Sequence, residues 1–430
     1  MLCIHLMGSP RVVRDGEAVP GPRGHKAWAL LGYLLLADVP PSRSHLAGLL
    51  FAEADDPLAA LRWNLSALRR LLPEADLQGD AVRLRLPPAT RVDARALMSA
   101  AAAESIGPVE LQGELLEGMA FASSPAFEIW LEAQRRHLGG LAEAVLREAA
   151  LARLGAGDAG GAADLAGRLV AMNPFDENFQ TLLVRSLSAA GDGIGAVRQV
   201  ARCTELFRRE LGASPSPALA AAARTVTATP TAAPRGGSAG ARAQLEAGEA
   251  AIRAGALDAG LQCLRRAVAD ARGAGDSHLE AHALGALGHA LVHAARGRDE
   301  EASAALHEAL AIAGRLGLAS CGAAASRELG YVEFLQGRYS RAERWLRRAA
   351  ELAGDDAAEQ GRIACALGSV LSDTAEYGGA LERLAEALAL NRAAGDARQA
   401  AYTLSMIGRV HLLRGALDLA EAVLGESLEA

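Results

Sequence analysis

The sequence predicts a mainly α protein in which a small mixed α+β unit precedes a long series of helix pairs. Three observations predict it. Alanine and leucine dominate a composition that is 51% hydrophobic but only 4% aromatic, which favours close helix packing over β-sandwich cores. Segments of strand character are confined to residues 1–95. Beyond residue 243, small residues return at fixed offsets. The 430 residues leave room for roughly two to four domains with ample cores.

The mixed unit, residues 1–95, reads in order. "CIHLMG" and "RVVRDGEAV" have strand composition, with a turn at Asp15-Gly16. A helix follows from Lys26 to Ala37 and stops at "DVPP". The next starts in "PSRSHLAGLLF", with Ser42 as N-cap after Pro41. A third occupies "DPLAALRWNLSALRRLL" and ends at Pro73; "LQGDAVRLRLPP" then reads as a hairpin turning at Gly79-Asp80. Strands, three helices and a terminal hairpin make a winged helix-turn-helix.

The third helix carries the candidate chemistry. At about 100° per residue, Leu58, Leu61, Leu65, Leu68 and Leu72 fall in one core-facing arc. Arg62, Ser66 and Arg69 flank that arc, and Trp63 and Arg70 point away from it. In a winged helix the outward side enters the major groove, where arginine bridges guanine O6/N7 or clamps phosphate. Trp63 can press on a thymine methyl or a sugar, or instead anchor the unit to another domain. Ala59 and Ala67 keep part of the face low. In the wing, Arg83 and Arg85 alternate with Val82, Leu84 and Leu86. Arg43, just inside the second helix, can meet phosphate beside free backbone N–H groups. The competing reading is a solvated arginine face, and Lys26 being the only lysine makes arginine the default cation here.

Residues 96–213 read as helical throughout, and 214–242 as a linker rich in Pro, Ala, Thr and Gly. Residues 243–430 repeat. Gly248, Gly330, Gly368 and Gly408 are each followed seven residues later by Gly255, Gly337, Ala375 and Gly415, and five further on by Gly260, Ala342, Ala380 and Ala420. Another unit has Gly297 and Ala302, but its first glycine, Gly288, stands two positions out of register. Small residues at these offsets are the tetratricopeptide signature, an α-solenoid of helix pairs. The middle segment repeats the logic from Gly157 to Gly191, 34 residues apart, with Ala162 and Ala196 following.

Composition and motifs exclude several classes. The five cysteines are scattered and form no CxxC, so neither a disulfide framework nor a zinc knuckle is expected, and a reducing cytoplasm is. The start lacks the pattern of a signal peptide, and the best apolar run, residues 27–37, is too short to span a bilayer; no membrane partner is expected. Residues 1–95 carry +2, so the remainder of the net −7 chain carries −9, which places any nucleic-acid reader at the N-terminus. There is no GxSxG, HExxH or phosphoacceptor cluster, and no phosphate loop, because Pro20 stands where its first glycine belongs relative to Lys26. No enzyme and no cofactor are expected. His278, His282, His289 and His293 lie within about 60° of one helix face. Such i, i+4 pairs can chelate a metal, but the preferred reading is a polar stripe without one.

The stretches "PSRSHLAGLLF", "RWNLSALRRLL", "LLEGMAFASSPAFEIWLEAQRRHL", "NPFDE" and "AVRQVARCTELFRRELGASPSP" resemble the bacterial transcriptional activator domain regulators of the antibiotic-regulatory-protein class. The resemblance implies a winged helix on double-stranded promoter DNA and a tetratricopeptide-like activator domain at 96–213 for dimerisation or RNA polymerase contact. The repeats at 243–430 would receive a signal or bind a protein or peptide in their groove. Two departures stand out: Ala67 replaces an arginine common in the family, and no ATPase module separates activator domain from repeats. The alternative is a tetratricopeptide adaptor whose winged helix binds protein.

Overall fold

A computed structural model describes residues 1–79, 81–98, 111, 113–224, 237–295 and 298–429, and these hold nineteen helices and six short strands. The chain divides into two compact units, Met1–Arg147 and Glu148–Ala430. Among the described residues no helix is long and apolar enough to cross a membrane.

In the first unit β1 (Leu2–His5) pairs antiparallel with β2 (Arg11–Arg14), which returns as β3 (Glu17–Val19). The turn between β2 and β3 sits on Asp15 and Gly16, both at positive φ (52° and 89°), the conformation that matches strand twist in a two-residue hairpin. Three helices follow: α1 (His25–Leu36), α2 (Arg43–Phe51) and α3 (Pro57–Leu71). The wing is β4 (Asp76–Gln78) against β5 (Arg83–Arg85); the expected turn at Gly79-Asp80 includes Asp80, which lies outside the described residues. Two short elements escape the sequence pattern, β6 (Arg91–Val92) and α4 (Asp93–Met98). β6 runs parallel to β1, giving the sheet order β3-β2-β1-β6.

Asp93 ties this end together. Its buried carboxylate accepts the backbone N–H groups of Leu6 (2.8 Å), Met7 (3.1 Å) and Ala94 (2.7 Å). Burial pushes the carboxyl up, against the pull of those N–H groups and of nearby His5.

The core of this unit does not stop at residue 95. Leu115, Leu116 and Phe127 are fully buried in the cluster that contains Ile4, Leu30, Leu46 and Leu65. Leu116 donates its N–H to the Leu6 carbonyl (2.9 Å), and Arg135 caps the Leu115 and Leu116 carbonyls (2.9 and 3.0 Å). Arg135 lies on α5 (Pro125–Gly155), within which the two units divide. Ser124, just before α5, donates its hydroxyl to the Leu50 carbonyl of α2 (2.8 Å).

In the second unit α6 (Ala159–Met172), α7 (Glu177–Ala189) and α8 (Gly193–Leu211) continue the helix-pair pattern. Gly157 and Gly191 take positive φ at the turns, and Ala162 and Ala196 are fully buried where helices cross. The described ends of the interval expected as linker are helical: α9 (Pro217–Arg224) and α10, which begins at Gly237; residues 225–236 lie outside the described residues.

The repeats run from α10 (Gly237–Arg253) and α11 (Leu257–Ala274) through α12 (Ser277–Ala294), α13 (Asp299–Leu316), α14 (Ala319–Leu335), α15 (Tyr339–Ala353), α16 (Ala357–Asp373) and α17 (Tyr377–Ala393) to α18 (Ala397–Leu413) and α19 (Leu417–Glu429). The first helix of each pair presents a glycine to a leucine of the second. A Cβ on Gly248, Gly288, Gly330, Gly368 or Gly408 would lie 2.5–2.9 Å from Leu264, Leu306, Leu346, Leu384 or Leu424. Gly288, displaced in the sequence pattern, fills the same slot as the others; its partner simply stands two residues further along the chain. The companion Gly297 lies outside the described residues.

Gly255, Gly337 and Gly415 turn each pair at φ 71–80°, and Ala375 holds the same position at φ 63°. A Cβ there costs roughly 1–2 kcal/mol, against a smaller entropic cost for glycine. Ala375→Gly is therefore expected to stabilise the second unit by about 1 kcal/mol. Denaturant unfolding followed by circular dichroism measures it, and a destabilised variant would contradict the strain.

Candidate nucleic-acid interface

The helix-turn-helix is built by local capping. Ser42 accepts the His45 N–H (3.1 Å) to start α2. Asp56 accepts the Ala59 N–H (2.9 Å) to start α3, whose first residue is Pro57. One face of α3 buries Leu61, Leu65, Leu68 and Leu71; Asn64 is also buried and satisfies its amide on the Ala60 carbonyl (2.9 Å).

Arg62, Trp63, Ser66, Arg69 and Arg70 are all exposed on α3. At about 100° per residue they span an arc of roughly 120°, one continuous face. Trp63 is 56% exposed on this face. Arg62 stands 3.7 Å from Asp56 in solvent, and the Ser66 hydroxyl donates to the Arg62 carbonyl.

Two residues depart from the wheel. Leu58, expected in the core arc, is 48% exposed because the first turn of α3 projects past the core, whose first fully buried position is Leu61. Ala67, expected to keep the outward face low, is buried, because the packed arc is wider than the leucines alone suggest.

The wing lies beside this face, held to the helices by backbone contacts. The Val82 N–H donates to the Pro41 carbonyl (2.8 Å), and Ser42 bridges to Ala81. Arg43, half-buried, donates Nε–H to the Gly79 carbonyl (3.2 Å), and Arg69 donates to the Leu77 carbonyl (3.1 Å). These two arginines therefore position the wing. Val82 and Leu77 are buried, Leu84 and Leu86 half-buried, and Arg83 and Arg85 exposed on the other side. Among the described residues no ion pair takes up Arg70, Arg83 or Arg85.

The histidine stripe is exposed along α12, but the structure separates its members. His289 and His293 converge on Glu328 of α14, while His278 and His282 stay outside that cluster. Glu328 lies 39 and 35 positions away in sequence, and no local pattern links it to the histidines.

Residues 89–227 match the family model of the bacterial transcriptional activator domain. Among solved structures, the chain is similar to EmbR of Mycobacterium tuberculosis, determined in complex with a low affinity phosphopeptide. That likeness has 21% identity over 53% of this chain and 65% of that one, at a TM-score of 0.38. It is also similar to a kinesin light chain of Podosopora anserina with nearly identical TPR-like repeats (17% identity, 44% of this chain, 92% of that one, TM-score 0.35). A third is the Pyrococcus horikoshii signal transduction ATPase with a tetratricopeptide repeat sensor (12% identity, 94% of this chain, 62% of that one, TM-score 0.31). The chain thus spans less than two thirds of EmbR and of the Pyrococcus protein. No curated protein matches the sequence significantly. The chain carries a bacterial transcriptional activator domain, preceded by a winged-helix fold and followed by tetratricopeptide-like repeats.

Proposed function

We propose that the protein is a DNA-binding transcriptional activator that docks α3 in the major groove of promoter DNA and lays its wing along the phosphate backbone. One observation carries the reading: the exposed face of Arg62, Trp63, Ser66 and Arg70 stands beside a wing whose Arg83 and Arg85 are solvent-facing. Arg43 and Arg69 contribute by fixing the wing against the helices. Residues 1–95 form the reader, 96–213 the activator domain and 243–430 the regulatory repeats. Contact with RNA polymerase and formation of a homodimer follow from the family resemblance, as does a protein or peptide ligand for the repeats.

A mobility shift of the full chain with the gene's own upstream DNA, at two salt concentrations, tests the proposal. Sequence-selective retardation that weakens as salt rises is expected. No selective retardation at either concentration would overturn it and leave the adaptor reading.

A further inference from the structure

The first helices of successive repeats pack on one another, α12 on α14 and α14 on α16. On that face His289 and His293, one turn apart on α12, point their ring nitrogens at one carboxylate. His289 Nδ1 lies 3.0 Å from Glu328 Oε1, and His293 Nε2 lies 2.8 Å from Oε2. All three donors fall within 4.8 Å of one another, and among the described residues no other such group occurs. The carboxylate side chain is only 3% exposed, whereas the histidine side chains are 57% and 37% exposed. A buried anion is thus presented to solvent through two imidazoles.

We infer that His289, His293 and Glu328 form a binding site for a first-row divalent cation of the zinc type, with a coordination position open to solvent. Two imidazoles and a carboxylate suit such borderline ions. Metal–ligand bonds of about 2.0–2.1 Å in a tetrahedron place donors about 3.3 Å apart. The observed separations, 2.8 and 3.0 Å to the carboxylate oxygens and all within 4.8 Å, bracket that spacing. A cation would take the place of the N–H protons that the rings now share with Glu328.

The surroundings fit a ligand set. Arg327 donates to Glu328 Oε1, which leaves Oε2 as the oxygen offered to a metal and orients it, as outer-shell partners of ligating carboxylates do. Tyr331 stacks on the His293 ring, with centroids 4.8 Å apart at 26°. Arg327 also pairs with Glu359 (2.7 Å), which pairs with Arg362 (3.2 Å), which pairs with Asp396 (2.9 Å). Three carboxylates against two guanidinium groups leave one negative charge on this chain of ion pairs. Arg327 divides its charge between Glu328 and Glu359, so it offsets only part of the attraction of Glu328 for a cation.

The test uses the full chain stripped with chelator, then titrated with Zn²⁺ by calorimetry and with Co²⁺ by visible absorption. Saturable binding of one equivalent is expected, with Co²⁺ gaining the d–d bands of a low-coordination site. His289→Ala and His293→Ala remove exposed rings, so circular dichroism should report an intact fold; each is expected to weaken binding by at least about tenfold. His278→Ala and His282→Ala, an i, i+4 pair outside the carboxylate cluster, should leave it unchanged. Absence of saturable binding, binding by His289→Ala equal to the parent, or loss of binding only in His278→Ala or His282→Ala would each overturn the inference.

Discussion

Changing Arg62, Arg70, Arg83 and Arg85 together to alanine is expected to weaken promoter DNA binding about a thousandfold, at about 1 kcal/mol for each arginine removed. The slope of log affinity against log salt should shrink by up to about four, one for each phosphate left without its arginine. Folding should be unaffected. All four side chains are exposed, and the Arg62–Asp56 pair at 3.7 Å is a solvated one that contributes little to stability. Arg43→Ala and Arg69→Ala make a useful contrast, because one donor of each also serves the Gly79 or Leu77 carbonyl of the wing. Their loss frees the wing as well as removing a charge beside it, so affinity should fall by more than the change in salt slope accounts for. Fluorescence anisotropy over a salt series separates the two classes. A quadruple variant with the parent's affinity and slope would remove this surface from the DNA interface.

The α3 helix is legible from sequence where local periodicity governs and not where three-dimensional packing does. Capping of α2 by Ser42, the buried Leu61, Leu65 and Leu68 of α3, and the alternation around Arg83 and Arg85 all depend on residues within one turn or one strand. Leu58 and Ala67 depart from expectation because a wheel gives direction but not how far the neighbouring core extends. The hydrogen bond of Ser124 to α2 is invisible for the same reason: 74 residues separate the partners. The repeats are legible because glycine is needed wherever a leucine of the next helix comes within 2.9 Å of its Cβ position. The partner of the histidines is not, since Glu328 enters only once α14 is stacked on α12. Even Gly288 needs the structure, because a two-residue difference in chain length between it and Leu306 hides an unchanged packing slot.

Glu328→Ala is expected to destabilise the second unit by about 3 kcal/mol, the lower end of what removing one partner of a buried ion pair costs. The lower end applies because Arg327 would keep Glu359 at 2.7 Å. Arg327→Ala should cost more, since it strips a cation from two buried carboxylates at once. The double variant should lose less than the sum of the two, as coupled neighbours do. Burial alone would push the Glu328 carboxyl up, but the Arg327 charge and the hydrogen bonds from His289 and His293 outweigh it and hold the group well below 4.5. The unfolded chain therefore binds this proton first as pH falls below 4.5, so the contribution of Glu328 is present above that value and is lost with acidification. Glu328→Gln keeps the volume and an acceptor for Arg327 while abolishing the titration. Its unfolding free energy, measured by urea titration from neutral to acid pH, should decline less steeply than the parent's. Equal acid dependence in the two proteins would mean that this buried charge does not stabilise the repeats.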